Sequence, residues 1–114
     1  LQFYIEGNYM DAQLYQRSGD MFLGVPFNIA SYSLLLMIIC KLTGYEPRYF
    51  HHVLGDAHIY ENQYEVVKQQ LRRSIYSSPK VIIRDVTSLE ELSESDFELQ
   101  DYKSHRPLRA EMIA

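Results

Sequence analysis

The sequence has 114 residues, 46% of them hydrophobic, enough for one modest core and not for two independent ones. A formal charge of -4 argues against a general nucleic-acid binder, which needs a basic face to displace phosphate counterions, but leaves room for one small phosphorylated ligand. The single cysteine, Cys40, cannot close an internal disulfide and fits a reducing compartment, with the cytoplasm as the default.

The first residues alternate apolar Leu1, Phe3 and Ile5 with Gln2 and Tyr4. They carry no basic region or small-residue cleavage site, so they do not read as a signal peptide. Glu6-Gly7-Asn8 supplies turn chemistry before a second extended run, Tyr9 to Gln16, which predicts a hairpin. Arg17-Ser18-Gly19-Asp20 breaks that pattern, and Gly24-Val25-Pro26 punctuates it again, so the segment between reads as a structured loop.

From Pro26 or Phe27 a long helix is expected, apolar nearly all round and stopped by Gly44. A helix of that composition reads as buried. Its longest apolar run, Leu34 to Cys40, falls far short of the roughly 20 residues that cross a bilayer, so no membrane span is expected. Pro47 is read as reopening a short turn, Val53 to Tyr60 as extended, and Glu61 to Arg73 as an exposed amphipathic helix. Lys80 to Arg84 reads as a further strand, and Ser88 as the start of a short acidic helix with Glu91 at the capping-box spacing. The class is α+β, mixed strands and helices in one domain over residues 1–114, without internal repeats.

Three constellations could carry chemistry. In Gln16-Arg17-Ser18-Gly19-Asp20, arginine offers a planar fork that matches phosphate oxygens and Ser18 a short neutral donor. The plainer reading of Arg17 is a solvated residue at a strand end. In Gly24-Val25-Pro26-Phe27-Asn28, Asn28 reads either as a helix cap or as a base reader, because an amide sets a donor beside an acceptor as uracil's O4 and N3–H require. In Gly55-Asp56-Ala57-His58-Ile59-Tyr60, His58 and Tyr60 share a face of a strand and could bind one sugar hydroxyl. The alternative is a half-buried histidine packed on a tyrosine. The neighbouring His51-His52 pair with Asp56 and His58 lacks zinc-ligand spacing, so no metal is expected. Cys40 sits among Ile38, Ile39 and Leu42, where a thiol acts as a small hydrophobe and not as a nucleophile.

Gln13-Leu14-Tyr15-Gln16-Arg17-Ser18, Phe22 through Tyr32, and Leu54 through Tyr60 together resemble the thymidylate synthase family, in the same order and spacing. The likeness is close over residues 1–73 and resumes at Asp96-Phe97-Glu98-Leu99 and Tyr102. It implies the C-terminal portion of a single thymidylate synthase domain, with a mixed sheet packed on the long helix. The reaction it implies converts dUMP and 5,10-methylenetetrahydrofolate, a co-substrate, to dTMP and dihydrofolate, with a cysteine thiolate attacking C6 of the pyrimidine.

By that resemblance Gln16, Arg17, Ser18, Asp20, Asn28, His58 and Tyr60 bind substrate. Arg17 and Ser18 would hold the phosphate, Asn28 the uracil edge, and His58 with Tyr60 the 3′-hydroxyl. Asp20, Leu23, Gly24, Phe27 and Ile113 would line the reduced-folate side, and Met112-Ile113-Ala114 would close over the ligands. The family's nucleophilic Pro-Cys-His segment is expected upstream of Leu1, so the chain alone is expected to be inactive. Its partner-donated phosphate arginines would also lie upstream, in a homodimer built on a sheet face. Tyr102-Lys103-Ser104-His105-Arg106-Pro107 departs from the family's proline-rich wording, and Gly19 is given no role. Two alternatives stand beside this reading: a deoxyuridylate hydroxymethylase on the same scaffold, and a non-catalytic nucleotide-binding paralogue.

Overall fold

A computed structural model describes residues 1–112. Strands β1 (Gln2–Glu6) and β2 (Tyr9–Asp20) form the expected antiparallel hairpin, with Glu6 opposite Tyr9. Gly7 opens the turn at a φ of 59°, a left-handed conformation that costs glycine little. Helix α1 (Val25–Thr43) then crosses over to β3 (Glu46–His58), which pairs parallel with β2 and completes a three-stranded sheet in the order β1-β2-β3. Helix α2 (Tyr64–Leu71) follows, and β4 (Lys80–Ile83) pairs antiparallel with β5 (Phe97–Gln100) in a separate two-stranded sheet.

Both long strands exceed their sequence-based bounds. Strand β2 continues through Arg17, Ser18, Gly19 and Asp20, where a loop was expected, because β3 runs alongside and pairs Ser18 with Asp56 and Asp20 with His58. Strand β3 begins at Glu46, so Pro47 lies inside it and does not open a turn. β3 is an edge strand, and Pro47 sits beside a bulge, a place where the missing ladder N–H is tolerated. There Met10 faces Pro47 and Ala12 faces Phe50, so Arg48 and Tyr49 together oppose Asp11. Asp11 is buried at 6% exposure and takes up the irregularity: its Oδ1 accepts the Tyr49 backbone N–H at 3.0 Å. The Arg48 guanidinium forks onto the same carboxylate at 3.0 and 2.9 Å and lies over the Tyr9 and Tyr49 rings.

The core lies between this sheet and α1, where Met10 and Ala12 meet Leu36 and Cys40, flanked by Ile39, Tyr45 and Phe50. Gly44 ends the helix as expected, at a φ of 84° with its N–H bonded to the Cys40 carbonyl at 2.9 Å. The expectation of an all-round buried helix needs correction. Only Val25, Leu36 and Cys40 are buried, and Phe27 is 74% exposed, because only one side of α1 meets the sheet. The helix has 19 residues and a mean hydropathy of 1.7, which is long and apolar enough to cross a membrane by composition, contrary to the estimate from its longest apolar run. In the structure its buried stripe lies on β2 and β3. A radius of gyration of 16.4 Å, against about 13 Å for a self-contained chain of 100 residues, fits a fold whose apolar faces are not all closed by its own elements.

The acidic segment also differs from expectation. Ser88 makes no capping bond. Glu91 instead accepts from the Thr87 backbone N–H and hydroxyl, and the capping box forms one turn later, between Ser93 and Asp96.

Candidate functional site at the ends of β2 and β3

The end of β2 is bent into α1 by Asp20. Its Oδ1 accepts the N–H groups of Phe22 and Leu23 at 3.1 and 3.2 Å, and its carbonyl accepts that of Gly24 at 3.0 Å. Gly24 is where the chain presses closest to this turn: a Cβ there would lie 3.3 Å from the Asp20 carbonyl oxygen. The Met21 N–H donates to the His58 carbonyl at 2.9 Å and ties the turn to the end of β3. Glycine is needed at Gly55 as well, because a Cβ would fall 2.8 Å from the Arg17 carbonyl oxygen and 2.7 Å from the Tyr15 hydroxyl. Gly19, given no role by its sequence, is buried, and a Cβ there would press on Val25 and Leu54.

Asn28 is not a cap. The helix starts at Val25 with Gly24 as its N-cap residue, and the Asn28 N–H already bonds to the Gly24 carbonyl at 3.0 Å. The Asn28 side chain instead meets Gln16. Gln16 Nε2 donates to the Ser18 carbonyl at 2.9 Å and to Asn28 Oδ1 at 3.1 Å, while Gln16 Oε1 lies 2.8 Å from His52 Nε2. A carbonyl only accepts, so Ser18 fixes which end of the Gln16 amide is nitrogen. His52 Nε2 must then carry the hydrogen and donate it to Gln16 Oε1. His52 is a member of the site that sequence reasoning missed. The alternation of β3 sets His52 on the face of Leu54 and opposite Leu14, but the extended run was expected only from Val53, and its partner Gln16 lies on another strand.

At the same end, His58 Nδ1 lies 3.2 Å from the Asp56 carbonyl oxygen and so carries a hydrogen toward it, with an Asp56 carboxylate oxygen 3.5 Å from the same nitrogen. The Tyr60 ring stands edge-on to the His58 ring at 5.0 Å. Gln16, Ser18, Asp20, Asn28, His58 and Tyr60 are thus linked by direct bonds, strand pairing or ring contact. Arg17 follows Gln16 on β2 with its side chain exposed, and no hydrogen bond or ion pair engages it among the described residues. Leu23 and Phe27 line an open cavity of about 730 Å³, whose other walls are residues 73–79 and 102–108. Asp20 and Gly24 shape the turn beside that cavity without lining it. Ile113 lies outside the described residues.

Cys40 is 1% exposed in the core, and burial pushes its thiol above the ordinary range, away from the thiolate a nucleophile needs. Among the described residues no group of His, Cys, Asp or Glu is arranged to hold a metal ion.

The family model described as "Thymidylate synthase" matches residues 1–114. The chain is similar to thymidylate synthases of Mycoplasma pneumoniae, 48% identical over 111 residues, and of Equine herpesvirus 2, 52% identical over 112 residues. Each alignment covers 97% of this chain and 39% of the relative. The human thymidylate synthase is 48% identical over 112 residues, 36% of its length. The chain therefore spans less than half the length of these curated relatives.

Proposed function

The chain belongs to the thymidylate synthase family, and from that membership we propose that it forms the C-terminal portion of a single catalytic domain which converts dUMP to dTMP with 5,10-methylenetetrahydrofolate. The observation that carries the reading is the amide chain from Ser18 through Gln16 to Asn28, set beside the Asp20–His58 strand pair. Fixed amides at the mouth of a helix suit a planar base, whose edge offers O4 as acceptor and N3–H as donor. The Asn28 Nδ2 donates to O4, and a remaining lone pair of Oδ1 accepts N3–H. Arg17 and Ser18 hold the 5′-phosphate, the guanidinium being exposed and unengaged among the described residues. His58 Nε2 and the Tyr60 hydroxyl bind the 3′-hydroxyl.

Reduced folate occupies the cavity beside Leu23 and Phe27, with Asp20 and Gly24 shaping the turn next to it, and Ile113 contacts the folate as well. The folate supplies the one-carbon unit and the hydride. Residues of this chain bind, orient and exclude water. The nucleophilic thiol comes from a part of the complete protein outside this chain, because Cys40 is buried and its thiol is disfavoured as an anion.

The complete protein acts as a cytoplasmic homodimer without a resident metal and without membrane or nucleic-acid partners. Its two copies meet on the outer face of the three-stranded sheet, where Tyr4, Tyr15, Tyr49 and Val53 are exposed together. Other parts of the protein cover the free apolar sides of α1.

The test is product analysis of the complete protein supplied with dUMP and 5,10-methylenetetrahydrofolate. dTMP and dihydrofolate in equal amounts are expected. Hydroxymethyl-dUMP would replace this reading with a hydroxymethylase, and dUMP binding without turnover would replace it with a non-catalytic nucleotide-binding protein.

A further inference from the structure

Two polar side chains are buried among the described residues, Asp11 and Gln63. The bulge in β3 accounts for Asp11. Gln63 has no such explanation within the helices around it. It ends the short 3-10 turn Glu61–Gln63 that follows Tyr60, and it is 0% exposed. An apolar side chain would fill that volume without the cost of desolvating an amide. The amide is used elsewhere: Gln63 Nε2 donates to the Glu111 carbonyl oxygen at 3.2 Å, across 48 residues of sequence. Its Oε1 has no partner among the described residues.

The chain beyond β5 returns over the segment between α2 and β4. Arg73 Nη1 donates to the Arg106 carbonyl at 2.8 Å, and His105 Nε2 to the Ser74 carbonyl at 2.8 Å, with the His105 ring stacked on Tyr76 at 4.5 Å. Those contacts are exposed to water and weakly worth their geometry. The Gln63 bond is the one made from a fully buried side chain, so water competes least for it. The Gln63 backbone N–H also bonds to the Tyr60 carbonyl at 3.0 Å. One residue thus joins the turn that presents Tyr60 to the returning strap.

We propose that Gln63 is a positioning residue that seats the C-terminal strap, through the Glu111 carbonyl, against the turn carrying Tyr60. The strap in turn supplies residues 102–108 as one wall of the cavity lined by Leu23 and Phe27. The tether stands on geometry alone. Its consequence for folate rests on the proposed function. Because the bond to Tyr60 uses the backbone N–H, any residue but proline at position 63 keeps it, and only the strap is released when the amide is lost.

The test replaces the amide by a thioether of similar size, Gln63→Met, in the complete protein. Tryptic cleavage after Arg109 in the native protein is expected to accelerate about fivefold, the scale of one lost hydrogen bond, with hydrogen exchange in β2 and β3 unchanged. The KM for reduced folate should rise by a similar factor while that for dUMP stays within about twofold. An unchanged rate of cleavage after Arg109 overturns the tether. If Gln63→Met loosens β2 and β3 too, a chain ending at Ala110 decides, since it removes the acceptor and keeps Gln63. There the Gln63 side-chain NH2 is expected to lose its slow exchange by NMR, and its persistence overturns the proposal. A wild-type protein that makes no product from dUMP and folate sinks the proposed function but leaves the cleavage and NMR outcomes to decide the tether.

Discussion

Gln16 sets the orientation of the Asn28 amide across 12 residues of sequence, with Nε2 donating to Oδ1 at 3.1 Å. The Ser18 carbonyl and His52 Nε2 hold Gln16 in turn, at 2.9 and 2.8 Å. A side chain so held presents one face to a ligand at little further entropic cost. The Asn28 nitrogen is left as the outward donor.

Gln16→Leu keeps the volume and removes both ends of that amide. It leaves the Ser18 carbonyl and His52 without their partner, in a part-buried place. Unfolding stability is expected to fall by about 1–3 kcal/mol. Urea denaturation measures this, and selectivity for uracil over cytosine should fall in the same variant because Asn28 is free to rotate.

Asn28→Asp keeps an acceptor for Gln16 Nε2 but loses the donor for O4 of uracil. Cytosine offers an amino group at that position, which a carboxylate accepts. The ratio of dCMP to dUMP binding is expected to rise by tenfold or more, on the order of one good hydrogen bond exchanged for an unpaired one. Competitive binding of the two nucleotides reads it directly, and an unchanged ratio removes Asn28 from base recognition.

The hairpin and the end of α1 were legible because each is decided locally, by Gly7 at the turn and Gly44 at the helix stop. The strand through Arg17 to Asp20 was not. Its residues are turn formers by propensity, and only a parallel neighbour 38 residues on, Asp20 against His58, makes them a strand. Pro47 misled for the same reason, since a tertiary bulge decides its place. The apolar girth of α1 says that all its sides want cover, and the sheet of this chain reaches one of them. As for the site, residue chemistry left Arg17, Asn28 and the His58–Tyr60 pair each with a plain reading. The family resemblance gathered them. His52 escaped because its partner, Gln16, comes from another strand.

Arg17→Ala separates binding from folding. The side chain is exposed and bonded to nothing among the described residues, so stability should change by less than about 0.5 kcal/mol. Nucleotide affinity is expected to fall by about 1.5–3 kcal/mol if the guanidinium bonds to phosphate. Deoxyuridine, which lacks the phosphate, should bind the variant and the parent alike. Calorimetric titration with dUMP and deoxyuridine compares the two, and equal losses for both ligands would contradict the phosphate role.

Asp11 gives the fold an acid limit. Arg48 holds its carboxyl below the usual range, with the Tyr49 N–H assisting and burial opposing. The folded state therefore prefers the carboxylate, and this preference contributes stability that is fully present above the unfolded value of about 3.9. It is lost as pH falls through the lower folded value, when protonation removes an acceptor from Arg48 and from the bulge. Asp11→Asn abolishes the charge at every pH and leaves Glu6, at 3.3 Å and exposed, as the carboxylate facing Arg48. The variant should therefore be less stable than the parent at pH 7, and the gap should narrow below about pH 4, where the parent loses the same interaction. Urea unfolding of both proteins across that range measures the gap. A gap that stays constant with pH would show that the carboxylate charge contributes nothing at the bulge.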